Sequence, residues 1–235
     1  VAHESDYSPG LATRLVAPFV TVLCTTFEAT RVPRARRLEH VGSPLRPALL
    51  HGSRPRGLRV LGFSGDRPVL LVVGGSLGAA ALNQALREAL ASLSQRFDIV
   101  HLCGAGKEAP GLGGPAYRQY AYLDEAYGDV LAAADYVVSR AGANGLFELL
   151  ALQKVSLLVP LGRAASRGDQ LENAAWAEGE GLVRVVSEAG LTGDRLTQAL
   201  DALVEAAPAL RTRLATFQAP DAVGRILALL RALAA

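Results

Sequence analysis

The stretch Pro68-Val-Leu-Leu-Val-Val73, followed at once by Gly74-Gly-Ser-Leu-Gly78, decides the fold. The first segment is short and apolar throughout, which is typical of a strand buried on both faces of a parallel sheet. The glycine-rich segment predicts a tight turn. Residues 79–95 carry leucines at helical spacing, so we expect an amphipathic helix there. A buried strand, a glycine turn and a helix together predict a β-α-β unit.

The same alternation continues along the chain to about residue 206. Further strands are predicted at 98–103, 117–123, 136–139, 155–160 and 182–186, and helices after residues 124, 144, 169 and 192. Strands that alternate with helices need right-handed crossovers, which produce a parallel sheet covered on both faces. We therefore predict a doubly wound α/β domain.

Composition divides the chain into four segments. Residues 1–43 hold the end of a similar strand and helix pattern, and residues 44–67 are rich in Pro, Gly and Arg, as linkers are. Residues 68–219 are predicted to form the α/β domain. Residues 220–235 predict a helix that is apolar on most sides and packs back on the first segment. Because Val1 begins inside a strand-like segment, we expect a fragment that lacks part of its first domain.

The bulk composition excludes several classes of protein. Half of the 235 residues are apolar and the formal net charge is +2, so the charge balance does not favour a nucleic-acid partner. Cys24 and Cys103 lie far apart, and no pair among the four histidines has zinc-site spacing. No apolar run reaches the roughly 18–20 residues that span a membrane. We expect neither a metal nor another cofactor.

Two glycine-rich turns are candidate phosphate sites. Ligands of parallel α/β sheets bind beyond the carboxyl ends of the strands, where backbone amides at helix starts can hold phosphate. The first turn, residues 74–78, also offers the hydroxyl of Ser76, although a tight turn without a ligand explains it equally. In the second, the amides of Ala143, Asn144 and Gly145 could face a diphosphate.

Polar residues near these turns are candidate sugar contacts. Glu148 lies one turn into the helix after residue 142, and its carboxylate could accept two hydrogen bonds from a ribose diol. A favourable interaction with the helix dipole would explain Glu148 as well. Asp169, Gln170 and Asn173 follow a buried strand and could contact sugar hydroxyls or belong to a solvated loop. The chain has no Asp-x-Asp pair that would hold a sugar nucleotide through a metal, so amides and arginine are expected to bind the phosphates.

Five short motifs resemble those of the bacterial lipid I N-acetylglucosaminyltransferases. In chain order they are His3-Glu-Ser-Asp6, Gly42-Ser-Pro-Leu-Arg46, Gly74-Gly-Ser-Leu-Gly78 with Asn83, Ser139-Arg-Ala-Gly-Ala-Asn144 with Glu148, and Asp169-Gln170 with Asn173. The resemblance covers residues 3–174 and implies the GT-B fold, in which two doubly wound domains enclose the substrate cleft. Asp6 and Asp169 depart from the family, which has asparagine and glutamine there.

The resemblance implies contacts with the donor UDP-N-acetylglucosamine for ten positions. They are Glu148 on the ribose, Ala143, Asn144 and Gly145 on the diphosphate, Leu123 on uracil, Ser76 and Arg46 on the phosphate side, and Asp169, Gln170 and Asp6 on the sugar.

The resemblance also implies the reaction and its place in the cell. The 4-hydroxyl of the muramoyl sugar of undecaprenyl-linked lipid I would attack the donor's anomeric carbon with inversion, in peptidoglycan synthesis at the cytoplasmic face of the cell membrane. No residue here matches the family's catalytic base, which the resemblance places in the absent segment. A sugar-nucleotide-binding module without catalysis, a glycolipid synthase and a UDP-N-acetylglucosamine 2-epimerase stay open as alternatives. The basic cluster Arg31, Arg34, Arg36 and Arg37 is either a solvated face or a contact with an anionic bilayer.

Overall fold

The computed structural model describes residues 1–75, 79–163 and 166–234, which fold into two parallel sheets covered by helices. The strands are β1 Ala2–Glu4, β2 Leu23–Thr25, β3 Leu38–His40, β4 Val69–Val73, β5 Asp98–Leu102, β6 Tyr117–Tyr120, β7 Tyr136–Ser139, β8 Val155–Leu158 and β9 Arg184–Val185. The helices are α1 Leu11–Val16, α2 Pro47–Leu50, α3 Arg54–Leu61, α4 Ala80–Leu93, α5 Tyr127–Ala133, α6 Ala143–Ala151, α7 Asp169–Gly179, α8 Gly193–Thr216 and α9 Ala222–Ala234.

The larger sheet has six parallel strands in the order β6-β5-β4-β7-β8-β9. The chain first builds outward from β4 to β6, then returns to the centre and builds outward from β7 to β9. Leu70 and Leu71 of β4 have no exposed surface, as expected for a strand covered on both faces. The predicted doubly wound α/β architecture is confirmed.

Helix α4 shows how the leucine spacing places a helix on the sheet. Leu82, Leu86 and Leu93 are fully buried in the core, whereas Leu90 is only half-buried against it. Full burial of one such side chain stabilises the fold by about 1.5–3 kcal/mol. The apolar stripe therefore fixes the helix face and, with it, the direction of the turn that precedes α4.

The smaller sheet has the order β1-β2-β3 and joins the larger domain through an aromatic cluster. The ring of Phe27 meets Phe147 of α6 edge-on at 5.0 Å and Trp176 of α7 at 4.8 Å between ring centroids. Tyr7 meets the same ring at 5.6 Å. The amino-terminal segment therefore lies beside α6 and α7.

Residues 44–67, predicted from composition as a linker, contain two helices packed on α5. A Cβ on Gly57 would lie 2.1 Å from the carbonyl oxygen of Asp129, so only glycine permits this approach of α3. Arg54 and Arg56 pair with Asp135 and Asp129 across the same contact. The glycines and arginines that suggested a linker fix one helix against another.

The larger differences from the predicted elements concern β3, α8 and β9. Strand β3 was not predicted, because Leu38–His40 is short and contains two polar residues. Helix α8 runs to Thr216 instead of 206, because Pro208 is accommodated inside it. Strand β9 has two residues instead of five.

Helix α9 packs on the smaller sheet. Ile226 and Leu229 lie against Val22, Cys24 and Val41, which are buried. Leu227, Leu230 and Leu233 of the same helix are each about 45% exposed. Across the described residues, no helix combines the length and apolarity needed to cross a bilayer.

Candidate functional site

A cavity of about 430 Å³ lies at the carboxyl ends of β4 and β7. These strands are neighbours, but the chain leaves β4 toward β5 on one side and β7 toward β8 on the other. Ligands of doubly wound sheets bind at such switch points because the diverging loops leave a crevice. The cavity lining includes Gly74, Gly75, Gly142, Gly145 and Gln170.

The start of helix α6 faces this cavity with backbone amides that make no hydrogen bond within the helix. Its N-cap residue, Gly142, is extended and contributes no capping side chain. The first amides of the helix, from Ala143 to Gly145, have no partner inside the helix and attract anions. At Gly142 and Gly145 an added Cβ would meet no described atom within 4 Å, so a ligand can approach the backbone closely. These are the positions predicted for the diphosphate, with Asn144 between them.

Glu148 and Arg46 form an ion pair at the edge of the cavity. Glu148 Oε1 accepts hydrogen bonds from Nε and Nη2 of Arg46, both at 3.2 Å. The guanidinium also lies over the ring of Tyr127, 5.5 Å from its centroid. Burial, together with the charge of Glu148, raises the pKa of Tyr127 to about 12, although Arg46 opposes the shift. The tyrosine therefore stays a neutral hydrogen-bond donor.

Asp169 and Gln170 begin helix α7 on the other side of the cavity. The side-chain oxygen of Gln170 accepts from the amide of Leu161 at 3.0 Å. This bond fixes the carboxamide and leaves its NH₂ group as the donor available to a ligand. Asp169 lies beside Arg167, with 3.7 Å between Asp169 Oδ1 and Arg167 Nε.

Asp6 reaches the site from the amino-terminal segment, but both of its carboxylate oxygens already have partners. Oδ2 accepts from Arg167 Nη2 at 2.6 Å, and Oδ1 accepts from Asn173 Nδ2 at 3.0 Å. Asp6 thus binds residues in and just before α7, and its contact with the sugar stays a prediction.

Of the ten predicted site positions, Gly145 and Gln170 belong to the cavity lining. Ser76 lies outside the described residues. Leu123 is half-buried in the loop before α5 and packs against the core, whereas the cavity is lined by Tyr127 from α5 itself.

The sequence assigned no role to Arg140, and it suggested Asn173 as a sugar contact without indicating its structural role. Arg140 follows β7, lines the cavity, donates to the carbonyl of Val159 at 3.0 Å and pairs with Glu188. Its position directly after a central strand was the available signal. Asn173 has no exposed surface and joins α7 to the turn before α6 by donating to the carbonyl of Ala141 at 3.1 Å.

Metal ligands are not grouped anywhere in the described ranges. Across residues 1–75, 79–163 and 166–234, no set of three or more His, Cys, Asp or Glu side chains could hold an ion. Groups that suit an anion there include the α6 amides and Arg140 in the cavity lining, and Arg46 beside it.

The profile of the glycosyltransferase family 28 C-terminal domain matches residues 69–226, which include both central strands and the whole cavity. The chain belongs to glycosyltransferase family 28. The family 28 match ends within helix α9, so it covers all six strands of the larger sheet.

Curated relatives extend the similarity to nearly the whole chain. A protein of Legionella pneumophila (strain Lens) is 42% identical over 234 residues, covering 98% of this chain and 64% of its own length. One of Geobacillus thermodenitrificans is 43% identical over 233 residues, with 98% and 65% covered. Both are named UDP-N-acetylglucosamine–N-acetylmuramyl-(pentapeptide) pyrophosphoryl-undecaprenol N-acetylglucosamine transferase. This family 28 chain thus spans slightly under two thirds of their length.

Solved structures share the fold. Acinetobacter baumannii MurG aligns with a TM-score of 0.74 at 22% identity, covering 97% of this chain and 65% of that one. The glycotransferase of kitacinnamycin aligns with a TM-score of 0.63 at 25% identity, covering 82% and 48%. The GT-B type of this family 28 chain is confirmed by these similarities.

Proposed function

We propose that this chain binds UDP-N-acetylglucosamine at the β4–β7 switch point and transfers N-acetylglucosamine to lipid I, as the names of its relatives state for those proteins. The single observation that carries the proposal is that the start of α6 lines a cavity beside Tyr127, over whose ring lies the Arg46 that pairs with Glu148. These groups have the chemistry to bind a diphosphate and a ribose diol.

In the proposed complex, each part of the nucleotide has its own partner. The diphosphate lies on the amides of Ala143, Asn144 and Gly145, and the ribose hydroxyls donate to Glu148. The guanidinium of Arg46 then turns from Glu148 to the phosphates. Positive charge and amide dipoles there stabilise the departing diphosphate in the transition state.

The proposed reaction is an inverting displacement. The acceptor hydroxyl oxygen forms a bond to the anomeric carbon, and the bond from that carbon to the UDP oxygen breaks, so UDP leaves with the electron pair. The hydroxyl proton passes to a general base. We assign that base to no residue of this chain. His3 contacts the carbonyl of Gly42 at 3.1 Å and Thr26 Oγ1 at 3.4 Å, which gives it a structural partner.

The acceptor carries a lipid, so the proposal includes peripheral contact with the cytoplasmic face of the membrane. Leu11 and Leu15 of α1 and the following Phe19 are strongly exposed, and Arg14 lies on the same helix. An apolar surface beside cationic side chains suits the interface of an anionic bilayer.

Turnover with UDP-N-acetylglucosamine and a soluble lipid I analogue, in the presence of a chelator, tests this function. We expect release of UDP and formation of the disaccharide product without added metal. Donor binding without product would favour the binding-module alternative. Hydrolysis or epimerisation of the donor without an acceptor would contradict the proposed transfer.

A further inference from the structure

One arginine joins two carboxylates where the amino-terminal segment meets helix α7. Arg167 Nη2 donates to Asp6 Oδ2 at 2.6 Å, and Arg167 Nε lies 3.7 Å from Asp169 Oδ1. Arg167 Nη1 also donates to the carbonyl of Ser8 at 3.5 Å. The guanidinium thus connects a segment 161 positions earlier in the chain to the first residue of α7.

A second set of hydrogen bonds couples this contact to the cavity. The buried Asn173 donates to Asp6 Oδ1 at 3.0 Å and accepts from the amide of Tyr7 at 2.9 Å. The same side chain donates to the carbonyl of Ala141, in the turn that leads into α6. Through Asn173, Asp6 is therefore linked to helix α7 and to the turn before helix α6.

The two carboxylates differ in what they can still bind. The oxygens of Asp6 are engaged by Arg167 and Asn173. The contact of 3.7 Å between Asp169 and Arg167 is longer than a hydrogen bond, so Asp169 keeps its capacity to accept from a hydroxyl. Asp169 also precedes Gln170, which lines the cavity.

We propose that Arg167 is a positioning residue for the sugar end of the donor. It neutralises Asp6 and Asp169, whose negative charges would otherwise repel each other, and so holds Asp169 beside Gln170, where its carboxylate accepts from a sugar hydroxyl. The identity of the ligand rests on the proposed function. Arg167 is partly exposed, and ion pairs of that kind add little to stability, so we place its role in donor recognition.

Isothermal titration of the 235-residue chain with UDP and with UDP-N-acetylglucosamine tests the proposal. In Arg167→Gln, the affinity for UDP-N-acetylglucosamine should fall about tenfold, whereas that for UDP should change less than about threefold, because only the sugar lies beside the carboxylates. Arg163→Gln is the matched control, since Arg163 lies exposed before the same helix. It should bind both ligands as the wild type does.

A charge-neutral variant separates positioning from direct contact. If Arg167 acts through the carboxylates, the triple variant D6N/R167Q/D169N should regain affinity for UDP-N-acetylglucosamine to within about threefold of wild type. Wild-type affinity in Arg167→Gln, or equal losses for UDP and UDP-N-acetylglucosamine, would overturn the proposal. A triple variant as weak as Arg167→Gln would also overturn it.

A ligand-free measurement distinguishes this proposal from the proposed function. If the wild-type chain bound neither ligand, the proposed function would fail. The pairing of Asp6 with Arg167 would then be tested by urea unfolding of D6N, R167Q and the double variant D6N/R167Q. Midpoint shifts that are not additive support the bridge between Asp6 and Arg167. Additive shifts overturn it.

Discussion

Glu148 is a carboxylate with little exposure at the edge of a cavity, and its partner is an arginine that is largely exposed. The carboxylate of Glu148 can exchange the exposed guanidinium of Arg46 for the two hydroxyls of a ribose. Replacement of Glu148 by Gln removes the charge and keeps the shape. We expect UDP to bind about 10- to 100-fold more weakly, as hydrogen bonds to a charged group contribute about 1.5–3 kcal/mol. Isothermal titration measures this change.

The ribose assignment has its own control in the ligand. The 2′-deoxy form of UDP lacks one of the two hydroxyls, so wild-type chain should bind it more weakly than UDP, and Glu148→Gln should bind the two almost equally. Glu205→Gln, in an exposed part of α8, should keep the wild-type preference. A Glu148 variant that still prefers UDP as strongly as wild type does would rule out this role.

Among the elements, α4, β5 and β6 share one buried polar network around His101. Its Nδ1 lies 2.8 Å from the Tyr117 hydroxyl, and its Nε2 lies 2.9 Å from Asn83 Oδ1. Because Asn83 Oδ1 can only accept, Nε2 carries the proton and the Tyr117 hydroxyl donates to Nδ1. Burial, with a smaller effect of Arg87, lowers the pKa of His101 to about 4.

This network predicts a loss of stability in mild acid. The pKa of His101 is about 6.5 when unfolded and about 4 when folded, so the unfolded chain binds more protons between these values. The stabilisation is complete above pH 6.5 and is lost as the pH falls toward 4, by about 1–2 kcal/mol at pH 5. Urea unfolding between pH 7 and pH 5 measures it. His101→Gln should flatten this dependence, and an unchanged slope would contradict the assignment.

The contact between α3 and α5 gives a prediction for the segment that composition had suggested was a linker. In Gly57→Ala the new Cβ would overlap the carbonyl of Asp129, so we expect a loss of about 1–3 kcal/mol in the free energy of unfolding. Gly179→Ala, in α7 with open space at its Cβ, should instead gain a few tenths to 1 kcal/mol from helix propensity. Equal effects of the two substitutions on urea unfolding would show that α3 does not pack as described.

For the whole molecule, the apolar strand runs were enough to predict the large sheet, because buried parallel strands leave a distinct pattern. The motif spacing predicted the α6 amides, Glu148 and Gln170 at one cavity, since all follow the carboxyl ends of parallel strands. The pairing of Arg46 with Glu148 and of Asp6 with Arg167 could not be predicted. Both join residues more than 100 positions apart, and no local periodicity encodes such contacts.

The close packing of Gly52 and Gly57 could not be predicted for a related physical reason. Glycine serves both flexible segments and close helix approach, and residues 44–67 alone do not reveal the α5 carbonyls that Gly52 and Gly57 contact. Composition therefore predicted a linker where tertiary contacts produce two packed helices.

Titration of the 235-residue chain with UDP-N-acetylglucosamine in a chelating buffer, followed by amide NMR, tests the central claim most directly. We expect saturable 1:1 binding, competition by UDP, and the largest shifts at the amides of Ala143, Asn144 and Gly145. Absence of binding, a requirement for a divalent metal, or shifts centred away from the start of α6 would contradict it.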